Sequence, residues 1–168
     1  MSLFESRFIV DAPLATVSAF HFQTGILKRL TPPMTWMQVH RFEPLANGSI
    51  ADFTIWMGPI PVHWVAEHSE VTATRFIDIQ IFGPMKSWKH THTMTAINAT
   101  QTEVHDHIVY EHHQGLRGVW SRLLFPVPAL KALFLFRSWV TRRDCQRMSF
   151  PAAPSNACPP EDANVRAT

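Results

Sequence analysis

A chain of 168 residues that is 46% hydrophobic and 17% charged can bury one substantial core but is too short for two ordinary domains. The formal charge of +2 comes from 15 basic and 13 acidic residues without a Lys/Arg run, which argues against nucleic acid as a partner. The stretch MSLFESRFIVDAP lacks the basic start and apolar run of a secretory signal, and Cys145 and Cys158 are too few for a disulfide framework. We therefore expect one cytoplasmic domain with free thiols and no cofactor or metal.

The N-terminal part predicts a strand and two short helices. Residues 3–10 mix apolar and polar positions in the manner of an opening strand. The stretch DAPLATVSAFHF then predicts a helix, because Asp11 precedes the apolar run and Pro13 suits a first-turn position. A second short helix fits TGILKRL, which Pro32 and Pro33 would end.

The middle of the chain predicts strands almost throughout. Short breaks such as GPIP, TAT, GPMK and NATQ carry turn formers or polar clusters, so consecutive strands should be antiparallel neighbours. The result is a six-strand meander with the opening strand as a seventh member. The predicted strands cover residues 36–42, 50–57, 62–71, 76–82, 87–97 and 102–112.

A helical pattern returns after Gly115. Pro126 and Pro128 should break or kink the helix where they occur. The last twenty residues, 149–168, hold four prolines and no apolar cluster, which predicts a disordered tail behind a domain of residues 1–148.

The helix after these prolines is apolar nearly all round, so something besides a sheet must cover it. A homodimer contact or a peripheral membrane contact would do so, the latter with Arg137, Arg142 and Arg143 facing lipid headgroups. A membrane-spanning helix is not expected, because prolines and basic residues interrupt the segment. One side of a helical wheel carries Leu130, Leu133, Phe134 and Val140, and other sides carry Leu135, Phe136 and Trp139.

This order of elements resembles the START-like (SRPBCC) superfamily of polyketide cyclases, dehydrases and lipid-transport proteins. VDAPLATVSAF looks like that family's first strand and helix, LKRLTPP like its second helix, and WMGPIPVHWVAEH, FGPMKSWKHTHTM and TEVHDHIVYE like consecutive strands. The resemblance covers about residues 3–145. It implies an α+β helix-grip fold, in which a curved seven-stranded antiparallel sheet wraps a long C-terminal helix and leaves a cavity for a hydrophobic small molecule.

The stretch SWKHTHTMTAI raises the question of function, because two histidines occur at alternate positions of a strand and should share one face. If the following turn centres on Ala99, His92 lies opposite Asp106. An aspartate accepting from a histidine ring fixes the tautomer and favours the imidazolium. The same register pairs Met94 with Val104, His90 with Ile108 and Trp88 with Tyr110.

The hairpin that turns through GPMK leaves an alternative open. A register in which paired numbers sum to 170 would place Phe82, Gln80 and Asp78 beside Trp88, His90 and His92 and extend a polar wall. The same strand also has a more apolar face that ought to point into the core, formed by Ile77, Ile79 and Ile81. Either both faces are covered or a bulge near Gly83 changes the parity.

Several interpretations of His90 and His92 stay open. They can be core residues satisfied by Asp106, Gln80 or water, ligand contacts, or an acid/base pair, while metal binding needs a further convergent donor. We expect His105, His107, His112 and His113 on the outer face or in the loop. The candidate ligand-binding residues are Trp56, Trp64, His68, Asp78, Gln80, Trp88, His90, His92, Asp106 and Tyr110.

The absence of a G-x-S-x-G motif and of a Gly-rich phosphate loop argues against hydrolase, kinase and dinucleotide-dependent activities. We expect a protein that binds a hydrophobic small molecule, such as a lipid, a quinone or a polyketide-like aromatic. The alternative is a cyclase or dehydrase in which Asp106 holds His92 as general acid/base. A third hypothesis is an interaction module with a vestigial cavity, whose working surface is the C-terminal helix.

Overall fold

The structure is a computed structural model that describes residues 1–149. One antiparallel sheet has the strand order β1-β7-β6-β5-β4-β3-β2, so every strand except the first neighbours the next along the chain. In chain order the elements are β1 (Ser2–Val10), α1 (Leu14–His21), α2 (Ile26–Arg29), β2 (Trp36–Phe42), β3 (Ile50–Met57), β4 (Ile60–Thr72), β5 (Arg75–Phe82), β6 (Ser87–Asn98), β7 (Gln101–Glu111), α3 (Gly115–Leu124) and α4 (Val127–Ser149).

The predicted seven-stranded meander is confirmed, and β2 and β3 have the predicted bounds. The register predicted for β6 and β7 is also confirmed: His92 lies opposite Asp106 and Trp88 opposite Tyr110. Register shifts in β2–β3 and β4–β5 mark bulges, which bend strands and increase their twist. They help the sheet to curve around α4.

The register predicted between β5 and β6, in which paired numbers sum to 170, differs from the structure by two residues. Paired numbers sum to 168, so Phe76 lies opposite His92 and Asp78 opposite His90. The Gln80 side chain explains the difference, because its amide donates to the Met85 carbonyl oxygen at 2.8 Å and accepts from the Met85 N–H. This closes the wide turn through the side chain instead of extending the strand pairing.

The inward face of β5 is the more polar one. Asp78 contributes to the internal cavity, whereas Ile79 and Ile81 are 37% and 56% exposed. The bulge that was expected near Gly83 is present in β5: the consecutive residues Val65 and Ala66 pair with Phe82 and Gln80, so Ile81 is the extra residue. Ile79 and Ile81 therefore lie on the outside, whereas Ile77 is fully buried, and Asp78 is held on the inner face by a hydrogen bond from His92.

The break predicted at the prolines separates α3 from α4. Phe125 leaves the helical conformation with φ −124° and ψ 57°, and the Pro126 carbonyl oxygen accepts the first amide bonds of α4. Pro128 fits the first turn because no intrahelical donor is needed there. Gly115 begins α3 with φ +64°, in the left-handed region that glycine tolerates.

One side of α4 packs on the concave face of the sheet, through Leu130, Phe134 and Val140, and its opposite side carries the exposed Leu135 and Trp139. The prediction that these two groups of residues lie on different sides of the helix is therefore confirmed. Asp144, buried on α4, accepts a 2.6 Å bond from Arg29 and so ties α2 to α4. Ser149 is the last residue of α4, and the rest of the predicted tail lies outside the described residues.

Candidate functional site

A cavity of about 170 Å³ lies between the concave face of the sheet, α2 and α4. Most of its wall is aliphatic or aromatic, which favours an apolar ligand. Trp64 contacts both Trp88 and Phe125 edge to face, at centroid distances of 5.3 and 6.0 Å. The apolar lining includes Leu27, Leu30, Met37, Phe42, Phe53, Ile55, Trp64, Phe76, Trp88, Phe125, Leu133 and Phe134.

Six of the ten predicted ligand-binding residues line this cavity: Trp64, His68, Asp78, Trp88, His90 and His92. Asp106 lies directly behind the two histidines and is 5% exposed. It therefore acts on the cavity through them.

The other three predicted residues do not line the cavity. Trp56 points to the outer face, because side chains alternate along β3 and Ile55 points inward; it stacks on Trp36 at 5.4 Å. Gln80 is engaged with the backbone of Met85. Tyr110 is buried in an apolar cluster that contains Phe4, Met85 and Ile108 and shares Leu130 and Phe134 with the cavity wall.

His92 lies between two carboxylates. Its Nδ1 is 2.9 Å from Asp106 Oδ1 and its Nε2 is 3.1 Å from Asp78 Oδ2. The ring also stacks on Phe76 at a centroid distance of 4.1 Å and contacts the tilted ring of His90 at 3.7 Å. Both ring nitrogens and both ring faces are thus engaged within the protein.

The pKa of His92 is raised to about 9. Burial opposes the charged form, but the hydrogen bonds to Asp106 and Asp78, together with their negative charges, outweigh it. His92 is therefore an imidazolium at neutral pH and donates both N–H groups to the carboxylates. The predicted contact between His92 and Asp106 is present, and Asp78 provides a second carboxylate.

His90, the next inward residue, has the opposite protonation state. Burial and the adjacent positive charge of His92 lower the pKa of His90 to about 4, although its Nε2 lies 3.0 Å from Asp106. The neutral ring donates from Nε2 and keeps Nδ1 as an acceptor. Despite its burial, Asp106 has a pKa well below its usual range, because His90 and His92 both donate to it.

Asp78 supplies the acceptor that is least engaged. Its Oδ2 accepts from His92, while Oδ1 has no hydrogen-bond partner among residues 1–149. His68 Nε2 is 3.2 Å from Oδ1 but outside hydrogen-bond geometry, and its Nδ1 is 3.0 Å from Ser49. A buried carboxylate oxygen without a partner is costly, so a ligand donor at Oδ1 would be stabilising.

Three of the cavity residues that the prediction missed lie outside the predicted meander, on α1, on α4 and between α3 and α4. His21 ends α1, and burial lowers its pKa to about 4 although Nδ1 bonds the Val17 carbonyl oxygen. Arg137, which was expected to face lipid headgroups, lines the cavity and donates to the Leu30 carbonyl oxygen at 3.3 Å. Phe125 enters the wall from the break between α3 and α4. Among the three, only Phe125 had a signal in the sequence, through the helix break predicted at the adjacent Pro126.

The cavity also contains three potential metal ligands close together. One ligand atom each from Asp78, His90 and His92 lies within 4.8 Å of the other two. His92, however, is protonated and already bonded at both nitrogens, and a metal ligand must offer a free lone pair. This cluster is therefore better described as a hydrogen-bond network, in which carboxylates neutralise the His92 charge, than as a metal site.

The architecture defines a class of protein: the chain has the START-like helix-grip fold, a curved antiparallel sheet around a long C-terminal helix with a cavity between them. No protein-family model and no curated protein matches the sequence. The expectation of this fold is confirmed by solved structures.

Three of these solved structures indicate the range of the likeness. The Zhui aromatase/cyclase from a Streptomyces species is 13% identical with a TM-score of 0.69, over 90% of this chain and 97% of that chain. A START superfamily protein from Mycobacterium smegmatis is 8% identical with a TM-score of 0.61, over 87% and 98%. Norcoclaurine synthase from Thalictrum flavum, in complex with dopamine and hydroxybenzaldehyde, is 15% identical with a TM-score of 0.59, over 84% and 87%. Identities this low show the fold alone.

Proposed function

We propose that the protein binds a hydrophobic ring-bearing molecule, such as a quinone, a polyketide-like aromatic or a cyclic lipid, in the cavity between the sheet and α4. The observation that carries this proposal is an apolar, aromatic-rich cavity with an ionised His–Asp network on one wall. Apolar burial would provide most of the affinity, and the few polar groups would set the orientation. The dopamine and hydroxybenzaldehyde bound to norcoclaurine synthase, and the description of the Zhui protein as an aromatase/cyclase, agree with this class of ligand.

The polar groups that face the cavity favour a ligand carrying both a donor and an acceptor. Asp78 Oδ1 and His90 Nδ1 can accept from a phenolic or enolic hydroxyl. Arg137 bonds Leu30 through Nε, and the guanidinium has further N–H donors for a ligand carbonyl. A hydroxy-carbonyl ring system has this pairing of groups.

The direct test is native mass spectrometry of protein purified without added ligand, followed by denaturation and organic extraction. We expect a co-purifying ring-bearing molecule. Independently, β-naphthol and naphthalene can be titrated while the fluorescence of the cavity residues Trp64 and Trp88 is followed. Binding of β-naphthol about tenfold tighter than naphthalene would support the polar recognition. If neither probe binds and no molecule is released, the cavity is not a binding site for this class.

A second candidate function is enzymatic, because adjacent histidines are held in opposite protonation states. Asp106 would hold Nδ1 of the charged His92, whose Nε2–H would turn from Asp78 to the substrate and act as the general acid, and neutral His90 would be the base. In a dehydration, the base removes the proton next to a carbonyl while the acid protonates the departing hydroxyl, so that water leaves. The relevant test is conversion of a phenyl-substituted β-hydroxy ketone to its conjugated enone, followed by absorbance.

The two functions differ in their response to His92→Gln. An enzyme should lose turnover by a factor of about a hundred to ten thousand while retaining β-naphthol binding. A binding protein shows no turnover before or after the change. A variant that turns over as fast as the wild type would exclude His92 as the acid.

An exposed apolar surface, defined by Leu116, Val119, Trp120, Leu123, Leu135 and Trp139 on α3 and α4, fits a peripheral contact with an anionic membrane. Residues 112–143 contain six basic residues and no acidic one, so a second copy would bring like charges together. Residues Gly115–Ser149 are long and apolar enough to cross a bilayer by length and composition. The inner side of α4 is packed on the sheet, however, so we propose a surface contact by a cytoplasmic protein.

Vesicle flotation tests the membrane contact. We expect binding to phosphatidylcholine vesicles that contain phosphatidylglycerol, weaker binding without it, and weakening by salt. Leu123→Glu should remove it, whereas Ile81→Glu, at another exposed apolar position but on β5, should not. A dimer in light scattering that Leu123→Glu dissolves would instead make this surface an interface between copies and overturn the proposal.

A further inference from the structure

The outer face of the sheet carries a second cluster of histidine and aspartate. His40 on β2, Asp52 on β3 and His63 on β4 each offer a ligand atom within 4.8 Å of the other two. His63 Nε2 lies 2.7 Å from Asp52 Oδ1, and His40 Nε2 lies 2.9 Å from Thr54 Oγ1. The three strands are adjacent in the sheet, so the cluster spans the edge strand β2 and its two neighbours.

A backbone irregularity places His40 in this cluster. The register of β2 against β3 shifts between Val39 and Arg41, so His40 is the extra residue of a bulge, and bulges re-aim side chains. Asp52 and His63 point outward by alternation, because the residues beside them, Phe53 and Trp64, line the cavity on the inner face.

We propose that His40, Asp52 and His63 form a binding site for a divalent transition-metal ion of the Zn²⁺, Ni²⁺ or Cu²⁺ type. Two imidazoles and one carboxylate suit these ions, whereas Mg²⁺ and Ca²⁺ prefer oxygen ligands alone. A tetrahedral zinc ion needs donor atoms about 3.3 Å apart, which small side-chain rotations reach from the observed spacing. Water would complete the coordination.

The outer cluster is better suited to a metal than the inner one. His63 has a side chain 46% exposed, so solvent and ions reach it, and the ring is bonded to the protein only through Nε2. His92 in the inner cluster is buried and bonded at both nitrogens to carboxylates. A metal at the outer cluster has only the 2.7 Å bond and the Thr54 contact to replace.

An ion at this site would fasten the edge strand to the two strands beside it. The other face of the same strands forms part of the cavity wall, through Met37, Phe53 and Trp64. The metal would therefore stiffen that wall without touching the cavity. The proposal does not depend on which ligand the cavity binds, or on whether it binds one.

The test is isothermal titration of tag-free protein with zinc chloride. A Cys158→Ser background removes the thiol outside the described residues as a competing ligand. We expect one zinc per chain, weakened at least tenfold by His40→Ala and by His63→Ala. His107→Ala is the matched control, because His107 is also a strand histidine with a partly exposed side chain and lies 3.9 Å from the Glu5 carboxylate.

Thermal unfolding provides a second readout. Zinc at a hundredfold excess over its Kd should raise the Tm by about 5–10 °C in the wild type and in His107→Ala, and not in His63→Ala. The three variants lie at the surface and should keep the wild-type circular dichroism. Zinc affinity that survives both His40→Ala and His63→Ala would overturn the proposal, and so would its loss in His90→Ala, which would assign the ion to the cavity.

Discussion

Two clusters of histidine and aspartate lie on opposite faces of the same sheet. The inner one joins His90 and His92 to Asp78 and Asp106 and is almost entirely enclosed by the cavity wall and α4. The outer one joins His40, Asp52 and His63 and is open to solvent. Residue types and hydrogen-bond lengths are similar in the two, so burial is the main difference between them.

Burial changes what the same chemistry can do. In the inner cluster, carboxylates without water must be satisfied by histidine N–H groups, which locks one ring as an imidazolium and leaves its neighbour neutral. In the outer cluster, water competes for every contact, so the side chains can exchange their partners for a metal. The inner network is thus suited to keeping each histidine in one protonation state, and the outer cluster to exchanging its hydrogen bonds for a bound metal ion.

Removal of an inner carboxylate should have the largest effect. Asp106→Leu leaves the buried His92 charge with one partner instead of two, and we expect the free energy of unfolding to fall by about 3–5 kcal/mol. Urea denaturation measures it. Asp52→Leu in the outer cluster is the matched control and should cost about 0–1 kcal/mol. Equal losses in the two variants would show that burial does not separate the clusters.

The pH dependence of stability should reveal His92. Its pKa is about 9 in the folded state and 6.5 as the ordinary value, so its contribution is complete below pH 6.5 and is lost as the pH rises to 9. The loss should be about 3 kcal/mol. Burial also raises the pKa of the Cys145 thiol, to about 12, but from an ordinary value of 9.0, so it acts above this window.

His92→Gln provides the control for this measurement. Its free energy of unfolding, taken from urea curves between pH 6.5 and 9, should be nearly flat where that of the wild type falls. His63→Ala should retain the wild-type slope. A wild-type curve without a slope would mean that His92 is not held as an imidazolium.

The part of the fold that the sequence predicted well is the part controlled by short-range geometry. The strict alternation in SWKHTHTMTAI and a short turn after it determine both face and register, which is why Asp106 was correctly paired with His92. The wider turn between β5 and β6 is closed by the Gln80 side chain, and alternation contains no information on such a bond.

The site was harder to predict because the sheet and the helices contribute to it from distant parts of the chain. Hydrophobicity favoured the isoleucine face of β5 as the inner one, but the bond from His92 to Asp78 decides the orientation. Arg137 has the sequence context of a surface arginine and becomes a cavity residue only because α4 packs with that side inward. Alternation along β4 did separate His68, which is buried, from His63, which is exposed.

A smaller difference between the two faces of the sheet is expected in ligand affinity. Asp78→Asn retains the shape of the side chain but removes the charge that would accept a ligand hydroxyl at Oδ1. We expect the preference for β-naphthol over naphthalene to fall about tenfold in fluorescence titration, with naphthalene affinity little changed. Asp52→Asn on the outer face should alter neither affinity, and an unchanged preference in Asp78→Asn would place the polar contact elsewhere.

The smallest effect is expected for His63→Ala without metal. The His63 ring is half exposed, and its bond to Asp52 is between solvent-accessible groups, so the free energy of unfolding should change by less than about 1 kcal/mol. His90→Ala, on the inner face, should cost more, because Asp106 then loses a buried donor. Urea curves in the presence of a chelator measure both. If His63→Ala is as damaging as His90→Ala, the outer cluster is a structural ion pair, and a metal would have to displace an interaction that the fold needs.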